Sequence, residues 1–163
     1  LQPAPLDAGV HAIALGALAA ATADTWATEI GTWLGGAPRH VLTWRPLATG
    51  MSGGVTLAGT AASVAGAALL GALAVALGWP RTSAIAGAAG GVAGALADSV
   101  LGATLQAKRR AADGALTERA RDVHGAETVH ATGLRWLDND VVNLAATVTG
   151  AVVALAIVRG SAA

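Results

Sequence analysis

Acidic side chains lie within or beside long apolar stretches of this sequence, where a charge is unusual. They are Asp24, Glu29, Asp98 and Asp140. A charge at the centre of a membrane helix costs about 3 kcal/mol unless it faces protein or water. We therefore predict that these four acids face the inside of a helix bundle and serve as catalytic residues and metal ligands.

The first apolar stretch carries its polar residues on one side. Helical spacing places Thr25 and Glu29 on one stripe, and Asp24 and Thr28 on the adjoining stripe. The alternative is that these residues only mark the end of the helix at the membrane surface. Asp24 lies about two to three turns before that end, too deep for its short side chain to reach the surface easily. We therefore favour a functional face.

A glycine-rich segment, residues 50–54, precedes the second apolar stretch. Gly50, Ser52, Gly53 and Gly54 would leave peptide N–H groups free at the start of a helix. The helix dipole favours an anion at this position as well. Because the segment lacks the lysine of a Walker loop, it indicates either a different phosphate-binding turn or a merely flexible one.

The third apolar stretch ends in polar residues that resemble those of the first. Ser99 and Gln106 share a predicted helical face, which Asp98 borders. We expect both to contact phosphate beside that acid. Glycines at four-residue spacing in this stretch indicate close helix packing. They are Gly87, Gly90, Gly91 and Gly94.

The fourth apolar stretch begins with acids and amides. Asn139 and Asn143 lie on one predicted face, with Asp140 nearby. We expect the two amides to bind phosphate or complete a metal site. A helix N-cap is the alternative for Asn139 and for Asp138, while Asn143 lies too deep for that role.

The elements that position these residues are predicted to be membrane helices. Of 163 residues, 54% are hydrophobic and 12% are charged, and mean hydropathy is +0.58. The apolar stretches span about 8–34, 55–78, 83–105 and 139–158, and about 20 residues suffice to cross a membrane. We predict a single all-α domain, a polytopic bundle of about four transmembrane helices in contact with the lipid bilayer. The net charge of zero argues against a nucleic-acid partner.

Charge in the connecting segments predicts the orientation of the bundle. The two long loops, 35–54 and 106–138, hold eight basic residues, against Arg81 and Arg159 on the opposite side. The positive-inside rule then places both loops in the cytoplasm, and we expect the bacterial plasma membrane. With this topology every polar cluster converges on the cytoplasmic half of the bundle.

Two further features concern the organisation of the chain. Ala-Asp-Thr at 23–25 resembles Ala-Asp-Ser at 97–99, and one interpretation is a parallel two-helix repeat. The chain begins at Leu1 rather than Met, which leaves open whether upstream helices are missing.

The converging groups form a set of hard oxygen ligands. Carboxylates and amide oxygens suit Mg²⁺, which commonly holds a polyphosphate, and they suit zinc poorly. The sequence contains no cysteine, so a thiolate site is excluded. We therefore predict a Mg²⁺ site that binds a nucleoside triphosphate.

The segments 23–31, 50–56, 98–106 and 139–143 resemble, in this order, the successive signatures of one membrane family. It is the integral membrane family of domain of unknown function 92, which includes plant phytyl-phosphate kinase and looks distantly similar to dolichol kinases and CDP-diacylglycerol synthases. The resemblance implies transfer of a phosphoryl group from CTP to an isoprenoid monophosphate, such as phytyl or geranylgeranyl phosphate. Relatives are generally longer at the N-terminus, and many carry cysteine before the last signature.

A transporter of cations or anionic metabolites is the main rival interpretation, because membrane-buried acids occur in transporters too. A transport path needs polar residues through both halves of the membrane, whereas here they crowd toward one.

The sequence does not decide the oligomeric state, although glycine-rich helix faces are compatible with a homodimer.

Overall fold

The computed structural model describes residues 7–122 and 124–161. Within them lie four helices that are long and apolar enough to cross a membrane. They are α1 (Ala8–Trp33), α2 (Leu57–Ala76), α3 (Arg81–Thr104) and α4 (Asn139–Gly160). The predicted fold class, a bundle of four membrane helices, is confirmed.

The helices pack through small residues. α1 and α3 form the central pair, and α2 and α4 each pack against both of them. Gly16, Gly90 and Gly150 bring α1, α3 and α4 into backbone contact, and a Cβ on Gly150 would lie 2.5 Å from the Gly16 carbonyl oxygen. The buried apolar residues are mostly alanines. Small side chains therefore stabilise this bundle, because they let the helix backbones approach closely and make extensive van der Waals contact.

Polar side chains cap the starts of α1, α2 and α4, and those of α2 and α4 lie at the same end of the bundle. Thr56 caps α2, and its Oγ1 accepts a hydrogen bond from the Gly59 N–H at 2.9 Å. Asp138 caps α4 by accepting from the Val141 N–H at 3.1 Å, so the N-cap interpretation holds for Asp138. The N-cap Thr56 still has an extended backbone, so α2 begins at Leu57, two residues later than the predicted position 55.

Both long loops contain short strands that the sequence did not indicate. In the first loop, β1 (Arg39–His40) pairs antiparallel with β2 (Gly54–Val55). In the second, three antiparallel strands lie in the order β4-β3-β5. They are β3 (Lys108–Arg110), β4 (Leu116–Thr117) and β5 (Val129–Thr132).

The second loop is fastened to the end of α3. The Leu134 N–H donates to the Leu105 carbonyl oxygen at 2.9 Å, and the Ala107 N–H donates to the Leu137 carbonyl oxygen at 2.8 Å. These bonds hold the three-stranded sheet beside the end of the bundle where α3 ends and α4 begins.

Candidate functional site

A cavity of about 680 Å³ lies where α1 and α3 end and α2 and α4 begin. Since the ends of α1 and α3 meet the starts of α2 and α4, α1 and α3 run in the same direction. The cavity brings together most of the residues predicted from the sequence. These are Asp24, Thr25, Thr28, Glu29, Gly50, Ser52, Gly53, Gly54, Asp98, Ser99, Asn139 and Asn143.

The cavity is acidic. Asp24, Glu29, Asp98 and Glu118 line it, and no lysine, arginine or histidine among the described residues does so. The carboxylates of Asp24 and Glu118 are close enough to repel that of Asp98. Oδ2 of Asp98 is buried and has no hydrogen-bond partner within the described part of the chain. Such an arrangement is unfavourable unless a bound cation or a proton neutralises it.

Asp24 and Asp98 lie well before the ends of their helices. Asp24 is nine residues before the end of α1 and Asp98 is six before the end of α3, or about 14 Å and 9 Å by helical rise. Away from the start of α2 and the end of α3, the walls of the cavity become apolar. They are formed there by Val64, Val92 and Leu96. The same cavity therefore offers charged oxygens at one part and a lipid-like surface at another.

The glycine-rich loop, residues 50–54, lies against the end of α3. Gly53 has φ +82°, which favours glycine, and a Cβ there would lie 2.5 Å from the Cβ of Ala103. A Cβ on Gly102 would likewise lie 2.8 Å from that of Ser52. Glycine is thus required on both sides of this contact.

Glu118 is a cavity residue that the sequence did not indicate. Its Oε1 accepts a hydrogen bond from the Ser52 N–H at 2.8 Å, and its Oε2 accepts from Ser52 Oγ at 2.7 Å. Gln106 Nε2 also donates to Oε2, at 3.0 Å. Glu118 lies in a charged loop beside Arg119, where an acid is usually solvated, so no local signal in the sequence singled it out.

Two predicted site residues lie outside the cavity. Gln106 was placed on a helical face with Ser99, but α3 ends at Thr104, and Gln106 lies beyond it with only 2% of its surface exposed. Gln106 donates a hydrogen bond to Glu118, and it is linked to the cavity through that residue. Asp140 is exposed in the first turn of α4, about 100° around the helix from Asn139, which faces the cavity with Asn143.

The basic residues of the second loop do not line the cavity. Arg109, for example, donates from Nε to Thr128 Oγ1 at 2.6 Å and from Nη2 to the Thr128 carbonyl oxygen at 2.5 Å. Its charge thus stabilises the β-sheet, and the loop contributes an acid, Glu118, to the cavity instead.

The described residues contain no group of three or more histidine, cysteine, aspartate or glutamate side chains arranged to hold a metal ion. Mg²⁺ does not require such a group, because it commonly binds one or two carboxylates, water and the phosphates of a substrate. The unpartnered Oδ2 of Asp98 and the neighbouring Asp24 carboxylate fit this incomplete kind of site.

Comparison with known proteins identifies the family. The chain is 32% identical over 143 residues to an uncharacterized membrane protein of Methanocaldococcus jannaschii. The aligned region covers 88% of this chain and 49% of the relative. The chain thus spans about half the length of that relative. No solved structure matches this chain. The profile of the family described as integral membrane protein DUF92 matches residues 4–151, and the chain belongs to this family.

Proposed function

We propose that the protein is a metal-dependent isoprenoid-phosphate kinase, which transfers the γ-phosphoryl group of CTP to a prenyl monophosphate in the membrane. The observation that supports this best is the cavity itself, in which the carboxylates of Asp24 and Asp98 share one space with the apolar walls of α2 and α3. A prenyl phosphate has the matching chemistry, a charged head on a hydrocarbon tail. The resemblance of the signature segments to a family that includes a prenyl-phosphate kinase supports the same activity.

The tail of the substrate would lie along Val64, Val92 and Leu96. The tail is already out of water in the bilayer, so these walls would hold it by van der Waals contact and not by the hydrophobic effect. The phosphate would then reach the polar part of the cavity.

Asp24 and Asp98 would hold Mg²⁺, and Glu29 lies in the same cavity as a further oxygen ligand. The bound ion would neutralise phosphate charge and orient the triphosphate for in-line transfer. Without a cation, an acidic cavity repels a triphosphate, so nucleotide binding should depend on the metal. The glycine-rich loop and the amides of Asn139 and Asn143 supply polar contacts at its edge.

The reaction needs no nucleophilic side chain. An oxygen of the prenyl phosphate attacks the γ-phosphorus of CTP, the bond from that phosphorus to the bridging oxygen breaks, and CDP leaves. The products are a prenyl diphosphate and CDP. The protein contributes position and charge, as is usual in phosphoryl transfer.

A transporter is the second candidate, and the packing of the bundle argues against it. Away from the cavity, Gly16, Gly90 and Gly150 bring three helices into backbone contact. Such contact leaves little room for a polar path. The polar cavity residues lie toward one end of the bundle only.

The test is a phosphoryl-transfer assay on purified protein in proteoliposomes with Mg²⁺, γ-labelled CTP and geranylgeranyl or phytyl phosphate. We expect label in the prenyl diphosphate, and none for Asp98→Asn. Ion flux across the same proteoliposomes, with no transfer to any prenyl phosphate, would overturn the kinase assignment in favour of a transporter.

A further inference from the structure

Glu118 joins three parts of the protein. Both of its carboxylate oxygens accept hydrogen bonds, from the N–H and Oγ of Ser52 in the glycine-rich loop and from Nε2 of Gln106 beyond α3. Hydrogen bonds to an ionised acceptor are about twice as strong as those between neutral groups. The glycine-rich loop is therefore fastened at its middle residue.

The backbone on both sides of Glu118 is fixed as well. Thr117 belongs to β4 and pairs with Arg109 of β3. On the other side, the Arg119 carbonyl oxygen accepts a hydrogen bond from Thr128 Oγ1 at 2.7 Å, and Thr128 is only 4% exposed. The small sheet in the second loop thus presents the Glu118 side chain to Ser52 from a rigid base.

We propose that Glu118 is a positioning residue of the site, which holds the glycine-rich loop against α3 at the edge of the acidic cavity. As a role in catalysis this rests on the proposed function, whereas the anchoring of the loop does not. The Ser52 N–H is committed to an internal carboxylate, so Ser52 orients the loop and does not itself bind the nucleotide phosphates through that group. The second loop, through its sheet, thereby controls the shape of the site.

The anchoring is tested by thiol labelling, since the sequence contains no cysteine to give a background. Met51 precedes Ser52, is half-buried and lines the cavity, so Met51→Cys places a reporter in the loop. In proteoliposomes, we expect Glu118→Ala to raise the rate of labelling by a water-soluble maleimide at least about tenfold, because the variant loses both hydrogen bonds from Ser52 and about 1.4 kcal/mol already corresponds to tenfold. Glu127→Ala, which removes an exposed acid of the same loop, is the control and should leave the rate unchanged.

Glu118→Gln separates geometry from charge. The amide oxygen can accept from the Ser52 N–H, and its NH₂ can donate to Ser52 Oγ, so labelling should stay within about threefold of the parent rate. Phosphoryl transfer, where present, should fall in Glu118→Ala and be largely restored in Glu118→Gln. Two results would overturn the proposal: labelling at the parent rate in Glu118→Ala, or an equal increase in both variants. Because labelling needs no turnover, its outcome stands apart from that of the kinase assay.

Discussion

The Ser52 N–H and the Glu118 carboxylate are joined by a 2.8 Å hydrogen bond across 66 positions of sequence. This contact links the loop before α2 to the loop before α4. It means that the glycine-rich segment is an anchored part of the cavity and not a flexible turn. The cavity is consequently framed by four helix ends and by two loops that hold each other.

The Ser52 side chain should contribute less to this anchoring than Glu118 does. Ser52→Ala removes the Oγ donor but keeps the peptide N–H, so we expect a loss of about 1 kcal/mol in the local stability of the loop. Hydrogen–deuterium exchange of residues 50–54 measures it. Ser161→Ala, which removes an exposed hydroxyl near the chain end, is the control. Exchange as slow as in the parent protein would show that Ser52 Oγ is dispensable.

Asp98→Asn should leave the protein as stable as the parent or stabilise it by about 1 kcal/mol in the absence of divalent cations. The substitution relieves repulsion from Asp24 and Glu118 and neutralises a buried oxygen that has no partner among the described residues. Thermal unfolding in detergent with a chelator measures the change. Glu127→Gln, whose carboxylate makes only an exposed ion pair with Arg121, should be neutral. A clear loss of stability in Asp98→Asn would contradict the electrostatic account.

The close approach of the helices predicts strong intolerance at Gly94. A Cβ there would lie 2.5 Å from the Ala20 Cβ and 2.6 Å from the Ala146 carbonyl oxygen, so Gly94→Val must push α1 and α4 away from α3. We expect a loss of about 2–3 kcal/mol, measured as a lower Tm in detergent. Gly160→Ala is the control, because a Cβ at that position meets no atom within 4 Å. Equal stability of the two variants would mean that the helices are not packed this closely.

The positive-inside rule predicts that the cavity faces the cytoplasm, and the labelling pattern of single cysteines in intact cells tests this placement. Asp113→Cys, in the second long loop, should be protected from a membrane-impermeant thiol reagent until the cells are opened. Thr82→Cys, at an exposed position in the first turn of α3, should be labelled from outside. The reverse pattern would place the acidic cavity on the outer side of the membrane.

The helices and their convergence were predictable, whereas the loops were not. Hydropathy marks a span of about 20 residues strongly, and alternating helix directions then bring Asp24, Asp98, Asn139 and Asn143 to one end of the bundle. Strands of two to four residues, such as Leu116–Thr117, are too short to show a periodic pattern. Glu118 was missed for a different reason, because its partner Ser52 lies 66 positions away in the sequence. The exposed position of Asp140 depends on the rotation of α4, which is fixed by the packing of Ala146 and Gly150 against α1 and α3 and which the sequence left open.

We propose above all that the acidic cavity binds a divalent cation together with a triphosphate. Calorimetric titration of CTP into purified protein, with Mg²⁺ and with chelator, tests it most directly. We expect binding only with Mg²⁺, at least about tenfold weaker in Asp24→Asn and Asp98→Asn and unchanged in Asp140→Asn, whose carboxylate lies outside the cavity. Equal CTP affinity with and without Mg²⁺, or full affinity in Asp98→Asn, would contradict the account.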